Sequence, residues 1–211
     1  MKQLLIIGAR GFGREVYNLF LKCKKAGLEV ECKGFLDSKS NALDNYSNYP
    51  PIISSVENYV IQPDDVFICA LGDVRYKKQY VTYLKEKGAQ FISLIHPKAE
   101  IDLNTEIGEG CIIRSFSSIS CDVKIGNFVT IMAFSAIGHD AKVGDWSHIG
   151  AHCFMAGGSR LGKMVTMHHG SRILSHKVAE DGSTIGAGSV VISKVKEKTT
   201  VFGIPAKKIE L

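Results

Sequence analysis

From Ile101 to Lys196 an apolar residue returns at every sixth position through sixteen successive hexads, running Ile101, Ile107, Ile113 and onward to Ile185 and Val191. Within that series only Ala179 is small. An α-helix repeats its apolar positions at three and four and a strand at two, so neither accounts for a sixfold return of this length. A hexapeptide parallel β-helix does. Each hexad supplies one flat face and a corner, three hexads close a triangular coil, and the inward residues stack on those of the coil before. Sixteen hexads predict roughly five coils, spaced by about 4.8 Å. Four places after each aliphatic residue stands a small or β-branched one, as at Cys111, Ser117, Val123, Ala141 and Ser147, with Lys177 as the break. Glycine often follows the aliphatic residue directly, at Gly108, Gly126, Gly138, Gly144, Gly150, Gly162 and Gly186, and is read as the turn residue.

Residues 1–96 follow a different pattern. The apolar run QLLII ends in Gly8, Gly11 and Gly13 and leads into an amphipathic stretch from about Arg14 to Lys25. Further strands are predicted over 32–36, ending at Asp37, over 66–71, ending at Gly72 and Asp73, and over 91–95, with a Lys- and Tyr-rich helix before the last. Alternating strand and helix at these lengths predicts a small Rossmann-like parallel α/β domain at 1–96, followed by the β-helix at 97–211. Ligands of such sheets lie at the carboxyl ends of the strands, where Gly11, Gly13, Asp37 and Gly72 fall. Arg10 stands where the dinucleotide fingerprint requires its second glycine, which argues against an NAD site. The bare amides at Gly11 to Gly13 still suit a phosphate or a sugar hydroxyl.

The net charge of +5 is mild, and no basic block interleaves with aromatics as a nucleic-acid groove requires. The sequence has no run of eighteen apolar residues and no cleavable leader at MKQLLIIGAR, so a cytoplasmic location without membrane insertion is expected. Six scattered cysteines are expected as reduced thiols.

Five of the seven histidines fall between His139 and His169. Their spacing does not suit a metal site, and none is expected. The chemistry they fit is acyl transfer, with His139 as general base. In the hexad Ile137-Gly138-His139-Asp140-Ala141-Lys142 the histidine takes a corner position, so its ring is expected to project outward, and Asp140 can orient it. One coil further on, Gly157 offers an amide to a developing oxyanion, and Gly158 is expected to leave room for a thioester.

The segments GARGFGREV, FLDS, ALGDVR, IHPKAEI, IGHDAKVGDWSHIGAHCFMAG, IGAGSVV and GIPAKKI together resemble the sialic-acid O-acetyltransferase and UDP-4-amino-sugar N-acetyltransferase family. The resemblance spans essentially the whole chain. It implies a left-handed β-helix, a homotrimer, and acetyl-CoA bound between neighbouring coils as co-substrate. It also implies His139 as base with Asp140 tuning it, acetyl-CoA contacts at His148, His169 and Ala187, and a sugar or sugar-nucleotide acceptor held by Gly11, Phe12, Gly13, Asp37, Ser38 and Gly72. The chain departs from the family pattern at Arg10, Phe12 and Ser38, and again in SHKVAED before IGAG, where the departure is expected to reshape the pantetheine channel at Ser175 to Ala179. N- and O-acetylation both remain open, and the alternative is a trimeric ligand-binding module without catalysis.

Overall fold

The computed structural model describes residues 1–210, which divide into two compact units, Met1–Pro97 and a second beginning at Lys98. The first unit is a five-stranded parallel sheet built from β1 (Lys2–Ile7), β2 (Val30–Leu36), β3 (Ile52–Ser54), β4 (Asp65–Cys69) and β5 (Gln90–Phe91), with helices α1 (Gly11–Lys25) and α2 (Val74–Glu86) as crossovers. Its strand order is β3-β2-β1-β4-β5, so the order reverses between β1 and β4. The central strands read as continuous apolar runs because both faces are covered, and Leu4, Leu5, Ile6, Phe67 and Ile68 are all inaccessible to solvent.

Three details differ from the sequence reading. β3 was hidden behind the Tyr46–Pro51 loop, where three residues are too short for a periodic signal. The predicted strand over 91–95 divides: Gln90–Phe91 joins the sheet, whereas Leu94–Ile95 forms a separate strand outside it. Helix α1 starts at Gly11, so Gly11, Phe12 and Gly13 form its first turn and do not precede it. Gly13 is required there. A Cβ at that position would overlap the carbonyl oxygen of Gly8, so only glycine lets the helix leave the strand this closely.

The second unit is a parallel β-helix. Its first face stacks Glu100–Ile101, Ser118–Ile119, Ala136–Ile137, Phe154–Met155, Arg172–Ile173 and Val190–Val191. The second face runs from Glu106–Ile107 through Lys142–Val143 to Val178–Ala179, and the third from Ile112–Ile113 through His148–Ile149 to Thr184–Ile185 and Thr200–Phe202. Register is strict, with Ile119 opposite Ile101 and Ile137 opposite Ile119. From Ile113 to Val191 every inward aliphatic is buried, and the small slot four places later holds buried Cys111, Ser117, Ala141, Ser147 and Ser171. All six cysteines are free, and burial pushes the Cys32 and Cys69 thiols up to about 11.

The corners correct the reading of the glycines. The residue in left-handed conformation is the third after the aliphatic one, and it recurs at every sixth position from Asn104 to Gly188, with φ between 56° and 71°. Only five of these fifteen corner residues are glycine; the others include Phe116, Phe128, Phe134, Trp146 and Met164. Such a conformation costs roughly 1–3 kcal/mol for a bulky residue. Stacking on the next coil offsets it: Phe128 lies on Trp146 at 4.4 Å, and Phe116, Phe134 and His152 form a column with centroids 5.2 and 5.1 Å apart.

The glycines that directly follow the aliphatic residues have another cause. Asn127, Asp145 and Asp181 fold back over Gly108, Gly126 and Gly162, where any Cβ would collide with them. Each places its Oδ1 on an amide of the preceding coil, that of Glu109 at 3.0 Å, Asn127 at 2.9 Å and Lys163 at 2.8 Å. These glycines permit close approach between coils, not the turn.

Candidate active site

His139 and Asp140 occupy the corner between the first and second faces, and their side chains are 64% and 67% exposed. His139 Nδ1 lies 2.7 Å from Asp140 Oδ2. An ionised carboxylate only accepts, so Nδ1 carries the proton and Nε2 keeps its lone pair. The face of the ring lies against Gly157: a Cβ there would stand 2.5, 2.8 and 3.0 Å from Nε2, Cε1 and Cδ2, so the in-plane lone pair is directed elsewhere. The imidazole is therefore seated on a glycine of the next coil with its basic nitrogen available, as a general base requires.

The backbone beside it has an open donor. The Gly158 amide donates to His139 O at 2.8 Å, but the Gly157 amide has no acceptor among the described residues. At four other corners the equivalent amides of Glu109, Asn127, Ala151 and Lys163 are each taken by a side chain of the following coil, whereas those of Ser115, Cys121 and Ala133, like that of Gly157, have no acceptor among the described residues. Above Gly157 that side chain belongs to Ser175 and makes no such bond. The result is a backbone N–H beside Nε2, the arrangement that stabilises a developing oxyanion. Gly158 behaves otherwise than expected: the place its missing Cβ would take is occupied by the ring of His176, 2.7 Å away at Cε1, so it leaves no open room.

The three residues assigned to acetyl-CoA lie elsewhere on the coil. His148 is on the third face, and His169 and Ala187 are at the corner between the third and first faces. His169 Nδ1 accepts the Ala151 amide at 2.9 Å, doing for that coil what Asn127 and Asp145 do for theirs, so the neutral ring presents Nε2–H outward. The whole first face, on the order of 15–20 Å for six residues, separates this corner from His139. One chain does not bring the two groups together.

In the first unit a cleft of about 520 Å³ opens at the carboxyl ends of the strands, beside the reversal of strand order. Phe12, Gly13, Asp37, Ser38 and Gly72 line it, together with Arg10; Gly11 does not. Asp37 already braces the loops, accepting the amides of Ala9 and Lys39 at 2.9 Å each, and its carboxylate retains capacity for further donors. No side chain caps α1, so the helix end faces the cleft as an electropositive terminus.

Sequence reasoning missed Glu57, Asp73, Tyr76 and Tyr80, which also line this cleft. The Glu57 carboxylate is held below the usual range, first by its own backbone amide and then by the hydroxyls of Ser55 and Tyr80. Burial, then the charge on Glu57, pushes the Tyr80 phenol up. Glu57 belongs to no strand, and Tyr80 is one of several tyrosines on a helix, so neither carried a signal in the chain. Only Asp73 did: its carboxylate accepts the Arg75 and Tyr76 amides as the N-cap of α2. Among the described residues no His, Cys, Asp or Glu cluster is placed to hold a metal ion, and no helix is long and apolar enough to cross a membrane.

Comparison with known proteins places both units. Residues 3–84 match the PglD N-terminal domain, and residues 122–157 match the bacterial transferase hexapeptide (six repeats). UDP-N-acetylbacillosamine N-acetyltransferase of Bacillus subtilis is 28% identical over 117 residues, 54% of this chain; the chain spans about half the length of that curated relative, 51%. A mutant of perosamine N-acetyltransferase from Caulobacter crescentus, in complex with CoA and GDP-perosamine, superposes with a TM-score of 0.90 at 21% identity over 100% of this chain and 98% of that one. The acetyltransferase domain of PglB from Neisseria gonorrhoeae, in complex with acetyl coenzyme A, gives 0.89 at 24% identity over 99% of each chain. At these identities the structural likenesses establish the fold.

Proposed function

We propose, on the match of residues 122–157 to the bacterial transferase hexapeptide and of residues 3–84 to the PglD N-terminal domain, that the chain moves the acetyl group of acetyl-CoA to the amino group of a nucleotide-linked sugar. The observation that carries the reading is the 2.7 Å contact of His139 Nδ1 with Asp140, which leaves Nε2 basic beside the open Gly157 amide. Nε2 takes a proton from the acceptor nitrogen as that nitrogen attacks the thioester carbon. The Gly157 N–H donates to the carbonyl oxygen as it becomes anionic. Collapse then breaks the C–S bond, and the sulfur takes up a proton to leave as the CoA thiol. No covalent enzyme intermediate is needed.

The site is completed by a second copy. His148, His169 and Ala187 meet acetyl-CoA from a neighbouring protomer, because in their own chain the first face stands between His169 or Ala187 and His139, and His148 is on the third face, opposite the His139 corner. Joining one corner of each copy to a different corner of the next is a heterologous contact, and a threefold rotation closes it into a ring. The composition of the faces supports this. The second face presents Glu106, Lys124, Lys142 and Arg160 outward, with Lys124 paired to Glu106 at 2.8 Å, whereas the first presents Ser118, Ala136 and Phe154 between Glu100 and Arg172, and Val190 beyond Arg172. A homotrimer enclosing the first face leaves the charged one in water.

In the N-terminal cleft Asp37, Glu57 and Tyr80 suit the hydroxyls of a nucleotide sugar, with Arg10 and the α1 terminus available to its phosphates. Acetyl-CoA and nucleotide sugars as substrates fit a cytoplasmic location. The relatives' names point to an amine acceptor: one is a UDP-linked and another a GDP-linked amino-sugar acetyltransferase. The test is free-thiol release from acetyl-CoA across a panel of UDP-, GDP- and dTDP-linked amino sugars. Release that depends on one of them is the expected result. Release only with a sugar hydroxyl would replace N- by O-acetylation, and no release with any acceptor would refute the reading.

A further inference from the structure

The corner that carries His139 holds a second imidazole. His176 stands one coil beyond Gly158, in the same column of left-handed residues as Asp140. It is exposed, its ring makes no hydrogen bond among the described residues, and it lies against Gly158 where a Cβ would be. That seat explains Gly158. A left-handed φ of 68° does not by itself demand glycine in this coil, because ten other corner residues hold the same conformation with full side chains. What glycine provides at 158 is space for the ring of His176.

The two imidazoles are placed on adjoining glycines from opposite coils. His139 leans forward onto Gly157 from the coil before, and His176 leans back onto Gly158 from the coil after. Consecutive Cα atoms are about 3.8 Å apart, so the rings bracket one peptide unit, next to the open Gly157 amide. At the other ladders a corner ring is spent on stacking, as His152 on Phe134. Below His176 the corner is bare glycine, and the ring has no aromatic partner there.

We propose that His176 is a catalytic residue of the acyl transfer, its ring N–H meeting the thioester sulfur while His139 meets the acceptor. The proposal rests on the acetyltransferase reading above. With the carbonyl oxygen on the Gly157 amide and the nucleophile on the side of His139, the remaining polar substituent of the tetrahedral carbon is the sulfur, and it faces the other ring. As the C–S bond breaks, negative charge gathers on sulfur and the imidazole N–H donates a hydrogen bond to it. The proton the thiol finally carries balances the one His139 has taken from the acceptor. The SHKVAED departure from the family pattern thus acquires a role: it places an imidazole along the path of the leaving group.

His176→Phe is the direct test, because Phe116, Phe128 and Phe134 already occupy equivalent left-handed corners of this coil. The variant keeps a ring on Gly158 and loses the N–H. With acetyl-CoA and an active acceptor, kcat is expected to fall about ten- to a hundredfold while the acetyl-CoA Kd changes by less than about threefold, and His176→Gln, which restores an N–H donor, recovers most of the rate. A His176→Phe enzyme with wild-type kcat overturns the proposal. So does a loss of acetyl-CoA affinity as large as the loss of rate, which would make His176 a binding contact only. Failure of the underlying reading looks different: the wild-type protein releases no thiol, or His139→Ala turns over normally.

Discussion

Replacing His139 with alanine is expected to lower turnover by about two to four orders of magnitude and to leave acetyl-CoA affinity nearly unchanged. The ring is exposed at a corner and belongs to no buried cluster, so its loss removes chemistry without opening a cavity. What disappears is the basic Nε2 beside Gly157, which meets the acceptor proton only as the reaction proceeds; the effect therefore falls on kcat and kcat/KM together. Asp140→Asn should cost less, because an amide oxygen can still accept from Nδ1 but carries no charge to favour the imidazolium. Steady-state kinetics beside an acetyl-CoA titration checks both. A His139→Ala enzyme at wild-type rate would remove the mechanism.

The other large effect concerns stability of the first unit. Asp65 has a fully buried carboxylate that accepts from Lys33 Nζ at 2.9 Å, Tyr59 Oη at 2.7 Å and the Gln62 amide at 2.7 Å. Removing it strands a tyrosine hydroxyl and leaves an ammonium without its partner, although Lys33 is 30% exposed and recovers some hydration. Asp65→Ala should therefore cost about 2–4 kcal/mol in urea unfolding, at the lower end of values for broken buried pairs.

The same carboxylate sets a pH dependence. Burial alone would raise its pKa, but the hydrogen bonds from Lys33, Tyr59 and Gln62 outweigh that and hold it below the ordinary value. A depressed folded pKa means that the stability Asp65 contributes is complete above the pKa of the unfolded chain and is lost as pH falls through the folded one. The wild-type protein should show this loss only in acid, below about pH 4, and Asp65→Ala should flatten it.

The coil was legible because one position in six has a single requirement. An inward side chain between two stacked coils must be apolar and large, so Ile137 or Leu161 declares itself in the sequence. The corner has no such signature. Its left-handed residue is often Asn, Asp or Gly, which the backbone favours, but Phe128 and Trp146 hold the same conformation through stacking between coils eighteen residues apart, and no local pattern reports that. The glycines after the aliphatic residues were misread for the same reason, since what they avoid is a side chain of the next coil.

The site divides in a similar way. His139, Asp140 and Gly157 could be related from one chain because the eighteen-residue return places them together. That His169 braces Ala151, and that it stands a full face away from His139, follows only from assigning each hexad to its face. In the first unit Asp37 and Gly72 could be found at strand ends, but Glu57 reaches the cleft from a segment with no strand or helix of its own.

The most direct test of the whole account is subunit mixing. His139→Ala disables the corner between the first and second faces, and Ala187→Trp blocks the exposed corner between the third and first; each pure protein should be nearly inactive. When the two are co-assembled, each junction is active only if the His139 side comes from one parent and the Ala187 side from the other, so random trimers should recover about a quarter of wild-type thiol release. A mixture no more active than its two components would contradict a site shared between copies.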